Sequence, residues 1–236
     1  MKVAQTNHGR VCLCVVCDGM GGLANGELAS ATVIREFDKW FRKDLPAMLE
    51  MPVFPVEELR LQWDNLVLEQ NKKLADYASS TGTRMGTTVV AFLIVGENYY
   101  IMNIGDSRAY MITDAIYQLT KDQTYVQFEM DAGRMTWEEA QVHPQRNVLL
   151  QCIGASEQIN PDYFIGQANP DTTFLLCSDG FRHLISPDEI YEKLKPEILD
   201  NEDTMLQNAI SLIELNKTRK EVDNISVAVI RTCREG

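Results

Sequence analysis

Four aspartates stand where a folded chain could gather carboxylates for chemistry. Asp18 ends the apolar run V-C-L-C-V-V-C and opens D-G-M-G-G, and Asp179 ends F-L-L-C-S and opens D-G-F. Asp223 lies in V-D-N just before another apolar run, and Asp106 sits in G-D-S-R. Carboxylates drawn within ~4 Å of one another cannot all stay ionised unless a cation sits among them. Oxygen ligands without His or Cys select hard ions, Mg2+ or Mn2+, over Zn2+. Two such ions ~3.5–4 Å apart can hold a bridging hydroxide as nucleophile and clamp a phosphoryl oxygen. Phosphate monoesters need such help, being among the slowest substrates to hydrolyse uncatalysed. Gly19 would let the backbone pass close to a ligand with its carbonyl turned inward. Asp-Gly is also a common turn dipeptide. The residues alone therefore leave two readings open: a metal-dependent phosphoryl hydrolase, or turn aspartates that share no site. Dinucleotide and P-loop glycine patterns, a G-x-S-x-G elbow and an EF-hand spacing are all absent from the sequence.

The elements around these residues set where they fall. The run before Asp18 is too short to cross a bilayer and too continuous to face water, so it predicts a strand buried on both faces. A glycine turn through Gly21 and Gly22 leads to a helix over about residues 26–49, with Asn25 as its cap. Its expected apolar stripe is Leu28, Ala31, Ile34, Phe37 and Phe41. After three prolines a second helix runs over about residues 56–78, with Leu59, Trp63, Leu66 and Leu74 on one face. Strands follow at 87–95, 99–104 and 108–112, and their short connections imply antiparallel neighbours. The stretch 120–170 is irregular, holds a capping box at Thr136 and Glu139, and suits the frame of a site. A strand at 173–177, a helix capped by Ser186, a helix over 202–216 and a strand at 225–231 complete one α+β domain across residues 1–236.

Composition narrows the partners. The 236 residues are 45% hydrophobic and 24% charged, as in an ordinary globular domain. A formal net charge of −12 argues against nucleic acid or an anionic membrane surface as the main partner. Cys14 and Cys17 form a C-x-x-C, but residues three apart on a strand point to opposite faces, so they read as buried thiols in a reducing compartment. With no leader sequence and no run of 18 apolar residues, the expected location is the cytoplasm, without membrane insertion.

The ordered motifs V-V-C-D-G-M-G-G, G-E-L-A-S, G-T-T-V-V, N-I-G-D-S-R-A-Y, C-S-D-G-F and V-D-N-I-S-V span about residues 11–231. Together they resemble the motif set of the metal-dependent protein phosphatases (the PPM or protein phosphatase 2C family), with Met20 resembling the bacterial branch. The resemblance implies a four-layer α-β-β-α sandwich, two antiparallel sheets flanked by helix pairs. It implies phosphoserine and phosphothreonine proteins as substrates, supplied by a cognate serine/threonine kinase, and two Mn2+ or Mg2+ ions with a weaker third. Carried over by position, Asp18 would bridge the two ions and the Gly19 carbonyl would bind one. Asp179 and Asp223 would complete the second ion's shell, Asp106 would join Asp179 at the third, and Asn224 would stand beside them. No side chain would act as nucleophile. Residues of about 120–147 match the family's variable region that includes the flap, and Asp122-Gln123-Thr124 stands where many members carry Asp-His-Ser. The family's opening strand, with its phosphate-binding arginine and an Asn-Glu/Gln-Asp stretch, falls ahead of Met1, and Arg10 is no substitute. The expectation is therefore a sheet missing its N-terminal strand, with an unpaired edge open to self-association and weaker phosphate positioning. A catalytically impaired relative that binds phosphoproteins or partners is the alternative.

Overall fold

The computed structural model describes residues 1–6, 8–20 and 23–233, the backbone alone for 23 and 24. In chain order the strands begin with β1 (Lys2–Thr6), β2 (Gly9–Val16), β3 (Gly19–Met20), β4 (Gly86–Thr87) and β5 (Val89–Val95). They continue with β6 (Asn98–Ile104), β7 (Arg108–Ile112), β8 (Ile116–Gln118), β9 (Asp162–Gln167), β10 (Thr172–Cys177) and β11 (Val227–Thr232). The helices are α1 (Leu23–Lys43), α2 (Leu45–Leu49), α3 (Val56–Thr81), α4 (Tyr125–Asp131) and α5 (Trp137–Val142). After them come α6 (Asp179–Arg182), α7 (Pro187–Leu194) and α8 (Glu202–Thr218).

Two antiparallel sheets form the centre, one ordered β1-β2-β5-β6-β9 and the other β11-β10-β7-β8. Period-2 alternation along β2 explains the layering. Cys12, Cys14 and Val16 point between the sheets, where they meet Phe92, Ile101, Phe174, Leu176 and Ile230. Val11 and Leu13 point the other way, into a core shared with α1 and α3. On the far side Leu175 and Cys177 pack with Ile190, Leu194 and Leu212 from α7 and α8. The result is the expected α-β-β-α sandwich. Cys14 and Cys17 lie in opposite cores, and all six cysteines are free thiols. Burial pushes the Cys14 thiol up to about 12, so it is inert at neutral pH.

Three expectations are corrected, and one strand was not foreseen. That strand is β1: Lys2–Thr6 pairs antiparallel with β2, Lys2 opposite Leu13 and Thr6 opposite Gly9. Lys2, Ala4 and Thr6 are half-buried while Val3 and Gln5 are exposed, so polarity does not follow the faces, as an edge strand tolerates, and no apolar alternation marked it. Helix α1 begins at Leu23 and ends at Lys43, so Asn25 lies inside it rather than at its cap. Its buried stripe is Ala29, Val33, Phe37 and Trp40, while Leu28 and Ile34 are exposed. Trp63 of α3 fixes that rotation, meeting Phe37 and Trp40 edge-on at 5.8 and 5.5 Å between ring centroids. Finally, β6 and β7 are not hairpin partners: the turn Gly105-Asp106-Ser107 carries the chain from one sheet to the other. Gly21 and Gly22 of the expected glycine turn lie outside the described residues.

Candidate metal centre

The strand ends deliver the aspartates to one end of the sandwich. Asp18 leaves β2 of the first sheet, Asp179 opens the single turn α6 after β10 of the second, and Asp223 precedes β11. Asp106 sits on the turn that joins the two sheets. Asp106 and Asp179 are buried at 8% exposure each, and Asp223 and Asn224 are exposed.

A network fixes Asp18. Its N–H donates to Thr88 Oγ1 (3.0 Å), and its carbonyl accepts from the Thr88 N–H (2.9 Å) and Thr87 Oγ1 (3.0 Å). Thr88 Oγ1 also bonds Ser107 Oγ (2.8 Å), tying G-T-T to G-D-S-R. The Asp106 turn is stapled from behind by Gln123, which accepts from the Gly105 N–H (2.8 Å) and donates to Asp162 Oδ2 (2.8 Å). Its neighbour Asp122 takes both arms of Arg108 at 2.7 Å each. The departure from Asp-His-Ser thus has a structural use here. On the other side, the Glu221 carboxylate accepts from the N–H groups of Val222 (2.8 Å) and Asp223 (2.9 Å), shaping the loop that carries Asp223. His183 stands between Glu221 and Asp179, 3.6 Å from each carboxylate. Asn224 contributes backbone contacts, its carbonyl accepting from Ser178 Oγ (3.3 Å).

Close backbone approach explains three glycines. A Cβ on Gly19 would strike the carbonyl of Gly26 in the first turns of α1, and a Cβ on Gly26 would strike Gly19 in return. A Cβ on Gly180 would meet the Asn224 carbonyl and Asp223 Cβ, so that glycine lets the β11 loop close on α6.

The electrostatics show convergence. Burial, the charge and hydrogen bond of Asp179, and the charges of Asp223 and Asp106 push the Asp18 carboxyl up to about 8. Burial likewise raises Asp106 to about 6, against the pull of Arg182. A cluster that makes Asp18 hold its proton at neutral pH is one that a divalent cation would relieve. Among the described residues no group of three or more His, Cys, Asp or Glu side chains stands close enough, as placed, to hold a metal ion. The all-oxygen donor set and the mutual repulsion fit hard ions at Asp18, Asp179 and Asp223. Asp106 is different, being engaged by Arg182 Nη2, which lies 3.1 Å from its carbonyl and 3.7 Å from its carboxylate.

The protein phosphatase 2C family model matches residues 2–215. The chain belongs to the protein phosphatase 2C family. A serine/threonine phosphatase of Listeria innocua is 32% identical over 220 residues, 92% of this chain and 82% of that protein. The S. agalactiae serine/threonine phosphatase superposes with a TM-score of 0.82 at 29% identity, covering 98% of this chain and 91% of the other. The catalytic domain of PstP, solved with two manganese ions, superposes at 0.71 with 31% identity, covering 97% and 89%.

The sequence motifs of this family member single out the four aspartates and give no role to Thr88, Gln123, Arg182, His183 or Glu221, which the structure places around them. Gln123 and Arg182 each neighbour a recognised residue, yet nothing in their spacing announces a partner many positions away. Thr88→Val, which keeps shape and removes the hydroxyl, is expected to cost about 1–3 kcal/mol in urea unfolding. It should also cost roughly 10–100-fold in metal affinity or activity, as loss of a ligand-orienting bond does. An unaltered Mn2+ affinity would show that Asp18 is placed without Thr88.

Proposed function

We propose that the chain is a Mn2+- or Mg2+-dependent protein serine/threonine phosphatase that hydrolyses phosphoserine and phosphothreonine monoesters. The observation that carries this reading is the meeting of Asp18, Asp106, Asp179 and Asp223 from two sheets, strong enough to raise Asp18 to about 8. Asp18 would face both ions and the Gly19 carbonyl one, and Asp179 and Asp223 would complete the second ion's shell. When bound, the ions lower the pKa of a water and draw charge from the phosphoryl oxygens. The chain's own part is to hold these oxygens in place. Thr87 and Thr88 fix the Asp18 backbone, Glu221 fixes the Asp223 loop, and the Gly19–Gly26 contact fixes α1 against β3.

Phosphoproteins made by a serine/threonine kinase are the proposed substrates. Helices α4 and α5, capped by Thr124 and by the Thr136–Glu139 capping box, form the variable region proposed to shape that choice. Six free cysteines support a reducing, cytoplasmic location, and among the described residues no helix is long and apolar enough to cross a membrane. Self-association is proposed at β11, which has no strand partner on its outer side among the described residues; a monomer in light scattering would remove it.

The deciding assay is phosphate release from a phosphothreonine peptide across a Mn2+ titration. Turnover is expected to appear with metal and vanish with chelator. Absence of turnover at every metal concentration would overturn the reading.

A further inference from the structure

We infer that Arg182 is a built-in cation that takes the place of the third metal ion, so that Asp106 does not bind metal in this chain. The inference rests on the two-ion reading above. Arg182 stands on α6, three residues after Asp179, with a side chain only 14% exposed. One guanidinium nitrogen, Nη2, donates to the Asp106 carbonyl (3.1 Å) and to Asp122 Oδ2 (3.3 Å), and lies 3.7 Å from Asp106 Oδ2. Asp122 is itself anchored by Arg108, whose third contact is the Tyr110 hydroxyl at 2.9 Å. Arg182 is therefore shared, 3.3 Å from the Asp122 carboxylate and 3.7 Å from that of Asp106, and its hydrogen bond to the Asp106 carbonyl holds it at that turn.

A divalent ion at Asp106 would have to stand beside a guanidinium that cannot lose its proton. Expelling Arg182 would leave Asp122 with one partner fewer and break the bond to the Asp106 backbone. The side chain is only 14% exposed, so a retreat would have to move a stem that lies within the fold. By contrast, no basic side chain makes an ion pair with Asp18 or Asp223 among the described residues, and only His183 approaches Asp179. The cations the centre lacks are at the three metal aspartates; the one it already has is at Asp106.

The test is metal stoichiometry. Native mass spectrometry and anomalous scattering from Mn2+-soaked crystals of the intact chain should give two ions, with none coordinated by Asp106. Arg182→Met, which keeps length and removes charge, should gain a third ion on Asp106 and Asp179; Arg182→Lys, which keeps charge, should not. Asp106→Asn in the otherwise unaltered chain should leave the count at two. A wild-type anomalous peak on Asp106 would overturn the inference and leave the two-ion reading standing. No bound ion at all would overturn both. If Arg182→Met fails to fold, the wild-type crystal and Asp106→Asn decide the matter between them.

Discussion

Asp18→Asn is expected to lower metal-dependent turnover by about 10³-fold or more, because several kcal/mol of transition-state charge stabilisation pass through the ions it would bridge. The same substitution should stabilise the metal-free protein. Asp18 is half-buried among Asp179, Asp223 and Asp106, and burial with those charges raises its pKa to about 8. Its folded value lies above the ordinary carboxylate value, so its contribution to stability is fully present below about pH 4 and is lost as pH rises through about 8. Asparagine carries no charge to repel. Chelated wild-type protein should therefore lose melting temperature between pH 5 and about 8, while chelated Asp18→Asn should lose less over the same window. With Mn2+ added the order should reverse, since binding to the folded state alone adds about 2.7 kcal/mol at a hundredfold excess over Kd. Calorimetry across that pH range, with and without metal, checks both signs. Identical pH slopes for the two proteins would show that Asp18 is not held among the other carboxylates.

Gly26→Ala should disable the enzyme although residue 26 carries no functional group. The added methyl would meet the Gly19 carbonyl carbon and oxygen, and both contacts are backbone, which cannot swing aside. Relief requires α1 to lift from β3, taking the Gly19 carbonyl out of line with Asp18. Overpacking of this kind costs about 1–3 kcal/mol. A displacement near 1 Å in a positioned group can cost roughly 10²-fold in rate. Phosphate release, Mn2+ affinity and urea unfolding together separate the two effects. Loss of stability with unaltered affinity and rate would show that α1 moves independently of the centre.

These outcomes trace which features could be read before the structure. Asp18 and Asp179 were legible because each ends a continuous apolar strand, a pattern that fixes both the element and the direction in which the residue leaves it. The capping boxes at Thr136 and Ser186 were legible for the same reason: both partners lie within one helical turn. The crossing at Asp106 was not, since a three-residue turn between strands has the same local sequence whether it closes a hairpin or changes sheets. Strand β1 escaped because an edge strand with solvent beside it need not alternate. The burial of Val33 and Trp40 in place of Leu28 and Ile34 follows from Trp63, more than twenty residues away, and no count along α1 alone contains that contact.

The change of sheet at Asp106 also bears on when the centre comes into being. Asp18 belongs to the sheet led by β1 and β2, whereas Asp179 and Asp223 flank strands of the other. An intermediate with one sheet formed and the other still loose would own half a ligand set and gain nothing from manganese. Metal would therefore act as a rivet across the sandwich, present only after the halves have docked. Its imprint would be kinetic: added Mn2+ slows unfolding and protects the intersheet strands from proteases, while the early steps of refolding keep their pace.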